Sequence, residues 1–390
     1  MLVKLKNVAD VIISNVDKKI KENEKKVYLC NFTDVYNNYA ITKKGNINFM
    51  MASASKSQID KFSIKKGYLA ITKDSETRND IGVGTFFADD FENLLLGYHC
   101  ALIKPNASLI NSKFLNAYIQ SPFVRKYYEF NASGSGQRYT LTIDTIADTP
   151  IYLPTYDIQL KIGNLLSGID RQIERNNAIV KRLQVLSHAI FNRYFSSETE
   201  TVSLVDFPYI RMIKPGITKF EGKKYYIATA EVEGEIINYN SPLIEFETRE
   251  NRANMQPIQN SVWFAKMKNS IKHIYVSQKD KALMSDYVFS TGFCGIKCDD
   301  IAFEYMINYV NLPYFEKEKD ILSHGATMES ITNEDLKSFK IHLPSKEKLC
   351  GFHNKTYAIH CYISEINYVI HQLSCLKEKL LPLLINQQLI

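Results

Sequence analysis

The sequence predicts an α+β protein built twice over. Three observations carry this: an ungapped internal repeat, two long runs with the period of a paired helix, and short β-type runs ahead of each. Residues 142–186 and 332–376 align at an offset of 190. Thr142, Ile151, Leu153, Pro154, Asn164, Ile169, Ile173, Asn177, Leu183 and Leu186 return as Thr332, Ile341, Leu343, Pro344, Asn354, Ile359, Ile363, Asn367, Leu373 and Leu376. Both copies read as an Ile-x-Leu-Pro strand end leading into a long helix.

The helices come first because their pattern is strongest. From Tyr156 to Phe195 there is no proline, and Ile162, Leu166, Ile169, Ile173, Asn176, Val180 and Leu183 follow a 4-3-4-3 spacing that continues through Ser187 to Ile190. That is a heptad seam. The second copy carries it through Phe352, Ile359, Ile363, Ile366, Ile370, Leu373 and Leu380, with Thr356 and Lys377 as imperfect positions. A helix of ~40 residues is ~60 Å long, and one with a single apolar seam needs a partner. The other helix of the same chain is the economical partner, with Asn176 fixing register; their own domains or an intermolecular bundle are the alternatives.

Ahead of the helices the pattern changes. Val27-Tyr-Leu-Cys-Asn-Phe, Tyr68-Leu-Ala-Ile-Thr and His99-Cys-Ala-Leu-Ile are short β-type runs, as are Tyr225-Tyr-Ile-Ala-Thr-Ala, Ser261-Val-Trp-Phe-Ala and Lys272-His-Ile-Tyr-Val-Ser. One further helix is expected in each half, over 112–121 and 301–310. The expected layout is a domain over 1–155, a helix over 156–195, a second domain over 196–344 (opening with a linker, 196–202) and a closing helix over 345–390. Upstream of the tail the repeat drifts: Asp34-Val35 matches Glu231-Val232 at an offset of 197. Insertions of that kind gather in surface loops, where recognition is usually carried.

Composition sets wide bounds. The 390 residues, 45% hydrophobic and 12% aromatic, are enough for two cores, and a formal charge of +6 permits a nucleic-acid partner without demanding one. Seven cysteines without a CxxC pair fit reduced thiols, and Cys294 and Cys298 read as buried strand residues rather than half a zinc site. No signal-peptide core and no apolar run of membrane-spanning length occur, so a cytoplasmic protein with no membrane partner is expected. No phosphate loop, dinucleotide fingerprint, His-Glu-x-x-His or amino-methyltransferase motif occurs, and the eight histidines never cluster with carboxylates at ligand spacing. The chain is expected to catalyse nothing and to hold no metal.

What remains is recognition chemistry. The stretch 71–80 offers Thr72, Lys73, Ser75, Thr77 and Arg78, and the stretch 131–139 offers Ser133, Ser135, Gln137 and Arg138 beside its glycines. The second half offers Arg249, Arg252 and Asn254, then Lys266, Lys268 and Asn269, then Thr327 in Ser323-His-Gly-Ala-Thr. Arginine suits guanine edges and Asn or Gln suits adenine, while Lys, Ser and Thr commonly hold phosphate. The bland alternative for each is a solvated polar turn; matching loops in both halves weigh against it.

These residues resemble the specificity subunit of type I restriction–modification enzymes. The similar stretches are Gly67-Tyr-Leu-Ala-Ile-Thr-Lys-Asp-Ser-Glu-Thr with Ile81-Gly82, Gly134-Ser-Gly-Gln-Arg, and Ile151-Tyr-Leu-Pro leading to Gln159, then Asn251-Arg-Ala-Asn-Met-Gln-Pro, Ser261-Val-Trp-Phe-Ala-Lys-Met-Lys and Ser290-Thr-Gly-Phe. Tyr68 departs from the usual Asp, and Pro154-Thr-Tyr-Asp-Ile-Gln from the usual Pro-x-x-x-Glu-Gln. The resemblance implies that 1–155 and 196–344 are target-recognition domains 1 and 2, each reading half of a split double-stranded DNA target in the major groove. It implies that the two helices pair antiparallel, rule the spacer and dock two methylation subunits, with restriction subunits added. S-adenosylmethionine, ATP and Mg²⁺ would belong to those partners, and none of them to this chain. A methylation-only or type IIB-like system is a close variant. A two-domain protein-binding scaffold is the rival from another class.

Overall fold

The computed structural model describes residues 1–43, 47–134, 137–237, 241–325 and 329–385. The chain divides into two compact units, Met1–Glu174 with Leu373–Ile390, and Arg175–Gln372. Each combines sheets with helices, and each includes part of two 40-residue helices, Tyr156–Phe195 and Lys346–Ile385. The fold is the expected α+β repeat.

In the first unit a five-stranded sheet runs in the order Ala9–Ile13, Cys100–Pro105, Leu69–Thr72, Gly84–Phe87, Ala40–Ile41. Leu69–Thr72 is buried along its whole length, which is why it reads as a continuous apolar run. A three-stranded sheet (Met50–Ala54, Lys25–Cys30, Leu94–Leu96) packs beside it. The pair Leu2–Lys4 and Pro150–Tyr152 ties the chain start to the entry of the central helix. The second unit repeats the plan. Ile210–Met212, Phe293–Cys298, Ser261–Ala265 and His273–Val276 form one sheet, and Leu243–Glu245, Lys223–Ile227, Tyr287–Ser290 and Ala253–Met255 another. Thr201–Ser203 pairs with Lys340–His342, so the expected linker ends in a strand. Ile151 and Ile341, equivalent in the repeat, face Val3 and Val202 in these two pairs. Cys294 and Cys298 are buried in the strand Phe293–Cys298.

Where the sequence reading expected one helix over 112–121 and one over 301–310, the structure has two in succession: Ser112–Ile119 and Pro122–Asn131, then Phe303–Val310 and Pro313–Leu322. The second of each begins on a proline, whose fixed φ and missing N–H suit a first helical turn. Asn111 caps its helix by accepting from the Lys113 and Phe114 amides, both at 3.1 Å. Thr142 and its repeat Thr332 accept from the amides three residues on, at Thr145 (3.1 Å) and Asp335 (3.4 Å).

Within each unit the long helices pack antiparallel. In the first, Ile162 and Leu166 share the domain core with Leu381 and Leu384, while Asp170 meets Lys377 at 2.6 Å. Burial pushes the Asp170 carboxyl up, although Lys377 opposes this, and the Lys377 Nζ lies 4.0 Å over the Tyr39 ring. In the second, Val180, Ile363 and Ile366 form a buried cluster with Leu183, Ile359 and Ile370, and Phe352 packs on Phe191 and Phe195. Ile169 and Asn176 are buried; Ile173 and Leu373 are half-buried. Past Ser187 burial moves from the expected Ile190 to Phe191 and Phe195, as the seam merges with the domain core.

Two polar seam positions, Lys377 and Ser187, are paired across the helices, and the pairing obeys the repeat. Adding 190 to Asp170 gives His360, and subtracting 190 from Lys377 gives Ser187; His360 Nε2 and Ser187 Oγ are 2.9 Å apart. Asn308 donates to Ser187 at 3.0 Å, which leaves the hydroxyl proton for the imidazole. The first unit therefore carries an ion pair where the second carries a neutral one. Burial lowers the His360 pKa to about 4 from 6.5. Between those values the unfolded chain binds a proton that the folded chain refuses. Stability is thus complete above pH 6.5 and falls as pH drops towards 4, by at most about 3 kcal/mol. Urea titrations across this range should show that slope, and His360→Gln should lack it.

Gly168 gives a control. It lies exposed in the central helix with open space around it. Gly168→Ala should stabilise the protein by up to about 1 kcal/mol in urea unfolding, by removing a helix-interior glycine.

Candidate nucleic-acid interface

The two polar stretches of the first domain, far apart in sequence, meet in one small sheet. Asp74–Ser75 pairs with Tyr139–Thr140, which pairs in turn with Ser133–Gly134. The frame is fixed on both sides of Lys73: its amide donates to the His99 carbonyl (3.0 Å), and its carbonyl accepts from the Leu141 amide (2.7 Å). Thr77, Arg78, Ser133, Gln137 and Arg138 are exposed on this platform, with Lys73 and Ser75 half-buried. The Arg78 guanidinium lies 5.1 Å from the centre of the Tyr139 ring. Ser135 lies outside the described residues. Thr72 is a correction: it is fully buried, and its hydroxyl accepts from the Val83 amide at 3.0 Å, so it belongs to the scaffold.

Asp74 sits at the centre of the platform, nearly buried. It accepts from Lys73 Nζ (2.9 Å), His99 Nδ1 (2.7 Å) and Thr140 Oγ1 (2.7 Å), with an Arg138 nitrogen at 3.5 Å. Burial pushes its carboxyl up, but the hydrogen bonds from His99, Lys73 and Thr140 together outweigh this and hold it below the usual range. Loop 79–81 is clamped from the helix Pro122–Asn131: Arg125 donates to the Ile81 carbonyl (2.9 Å) and reaches Asp80 at 3.4 Å.

The second domain builds the same frame around Lys266. Its amide donates to the Gly292 carbonyl (2.9 Å), and its carbonyl accepts from the Ile331 amide (3.0 Å). Lys73 and Lys266 thus leave equivalent strands at equivalent points. Arg252 is exposed near Lys266: its carbonyl accepts from the Thr291 amide (2.8 Å), and a Cβ on Gly292 would sit 3.4 Å from its guanidinium. Lys268 pairs with Glu329, and Asn269 adopts φ 55° while its amide donates to Asp320 at 2.8 Å. Arg249 is turned onto its own loop, over the Phe246 ring at 4.0 Å and donating to the Ala253 carbonyl at 3.2 Å. Asn254 is half-buried, its carbonyl accepting from the Gly216 amide. Thr327 lies outside the described residues.

The sequence reading missed the groups beneath these loops. Lys319 and Glu316 pair at 2.5 Å, His273 meets Glu316 at 2.9 Å, and Lys319 donates to the Ser270 carbonyl at 2.7 Å. With Asp320 on Asn269, these bonds pin 266–270 to the helix Pro313–Leu322. Glu316 and Lys319 stand three apart on a helix, which is an ordinary surface pattern. Nothing in the spacing marks the pair as buried.

Residues 1–185 match the family model "Type I restriction modification DNA specificity domain". A curated relative, the type I restriction enzyme HindI specificity subunit of Haemophilus influenzae, is 28% identical over 171 residues, 43% of this chain and 35% of the relative. The chain therefore spans about a third of that relative's length. The solved S subunit of a type I restriction-modification system from M. genitalium covers 98% of this chain, and 95% of its own length is matched, at 14% identity and a TM-score of 0.55. That likeness is one of fold, and it extends over both units.

Proposed function

We propose that the chain is a member of the type I restriction–modification DNA specificity family, whose model residues 1–185 match, and that it is the sequence-reading subunit for a split DNA target. Residues 1–155 and 196–344 are the two target-recognition domains, and Tyr156–Phe195 and Lys346–Ile385 are the helices that join them. Lys73, Ser75, Thr77, Arg78, Ser133, Gln137 and Arg138 face one half-site; Arg252, Lys266, Lys268 and Asn269 face the other. The observation that carries this reading is the matching frame around Lys73 and Lys266. Two independent domains place a cation at the same exit of the same strand, flanked by exposed arginine.

The chain recognises and does not catalyse. Two methylation subunits dock on the helices, S-adenosylmethionine is theirs, and ATP and Mg²⁺ serve restriction subunits. No helix among the described residues is long and apolar enough to cross a membrane, and the place of action is the cytoplasm, where the DNA is.

The test is salt-dependent binding of duplex DNA carrying the target by the chain assembled with its methylation subunits. Affinity should fall steeply as salt rises from about 50 to about 200 mM, and Lys73→Ala and Lys266→Ala should each flatten the log–log slope by about one. Affinity indifferent to salt would favour a protein-binding scaffold.

A further inference from the structure

Asp74 is a carboxylate buried beneath a surface proposed to meet a polyanion, an arrangement that costs affinity unless the acid organises something. What it organises is Arg138. One terminal nitrogen of that guanidinium lies 3.5 Å from the Asp74 carboxylate, while 59% of the side chain stays exposed; His99 Nδ1, which donates to Asp74, does not accept from it. The ion pair with Asp74 anchors the guanidinium at that one nitrogen and leaves the rest of its donor fork available. Asp74 is itself fixed by Lys73, His99 and Thr140, and by strand pairing on either side of the loop. An arginine anchored in this way keeps its planar fork of N–H donors at the platform surface, and that fork matches O6 and N7 of guanine in the major groove. Phosphate needs no such restraint, and the platform already has Lys73 and Arg78 for it. Arg78 lies over the Tyr139 ring.

Resting on the specificity reading above, we infer that Arg138 reads a guanine in the half-site of the first domain and that Asp74 is its positioning residue. The reading is particular to that domain, because the residue 190 positions on from Arg138 is Met328. Arg138 is the specificity-determining group; Asp74 acts on the base only through it.

The experiment is single-molecule methylation mapping in cells that express the methylation subunit with wild-type chain, Arg138→Gln, Arg138→Lys or Asp74→Asn. The wild-type motif should contain guanine in one half. Arg138→Gln should lower discrimination at that position by about tenfold or more and leave the other half-site unchanged. Arg138→Lys should not restore it, because lysine lacks the fork. Asp74→Asn should relax the same position to a smaller degree. Arg138 is exposed, so the Gln change tests reading rather than folding. Uniformly weaker methylation with an unaltered motif in all three variants would overturn the inference, by making Arg138 a phosphate contact. A wild-type split motif lacking guanine in either half would overturn it while leaving the specificity reading intact. Absence of any split motif with wild-type chain would remove that reading and the inference with it.

Discussion

Lys319→Met is expected to destabilise the second unit by about 3–5 kcal/mol, because it strands a buried carboxylate. Lys319 is fully buried, and its ammonium is shared between Glu316 and the Ser270 carbonyl. Burial pushes the Glu316 carboxyl up, and the hydrogen bonds from His273 and Lys319 bring it below its usual range. Removing the lysine takes away one of those two bonds without removing the charge. Urea unfolding should show the loss, and Lys319→Met with Glu316→Leu should recover most of it, since a hydrophobic pair of similar volume carries no desolvation penalty. A single variant as stable as wild type would show that the ion pair carries no net weight. The same change frees Ser270 and so loosens the Lys266 loop. Methylation should fail at temperatures where the protein is still folded.

Gly82→Ala is expected to cost about 2–5 kcal/mol through two separate causes, left-handed backbone and overpacking. Gly82 has φ +74°, and a Cβ there would lie 2.2 Å from the ring of Tyr128. That ring is fully buried, and its hydroxyl accepts from Thr149 at 3.0 Å, so it has nowhere to turn. The Gly82 amide donates to the Thr72 carbonyl at 3.1 Å and closes the loop that carries Lys73 to Arg78. The loss should appear as a lowered urea midpoint together with reduced DNA affinity. A midpoint equal to that of Gly168→Ala would contradict the account, since that glycine meets nothing.

The parts of the fold that were legible in the sequence are those fixed by period. The 4-3-4-3 spacing and the ungapped repeat located both long helices, because a seam must recur wherever two helices meet. Buried strands such as Leu69–Thr72 and Ser261–Ala265 showed as apolar runs. The helices Pro122–Asn131 and Pro313–Leu322 were missed, although Ser121-Pro122 carries a cap and a first-turn proline. The small sheet joining Asp74–Ser75 to Tyr139–Thr140 was beyond reach: two-residue strands have no period, and their pairing is set by everything between them.

The same division runs through the site. Exposed Arg78, Arg138 and Arg252 were found because polar loops stand out by composition. Thr72 belongs in sequence to both a β-type run and a polar stretch, and the structure makes it the last buried residue of the strand rather than a contact. Asp74 is not marked by composition, because an acid among basic loop residues reads as an ordinary surface group until its burial and partners are known. His99, Glu316 and Lys319 gain their meaning only from burial and from neighbours 25 to 49 residues away.

The most direct test of the central claim is methylation mapping by single-molecule sequencing in cells with and without this gene. Loss of modified adenine at one split motif, and at no other, is the result this account predicts. An unchanged methylome with a methylation partner demonstrably expressed would contradict it.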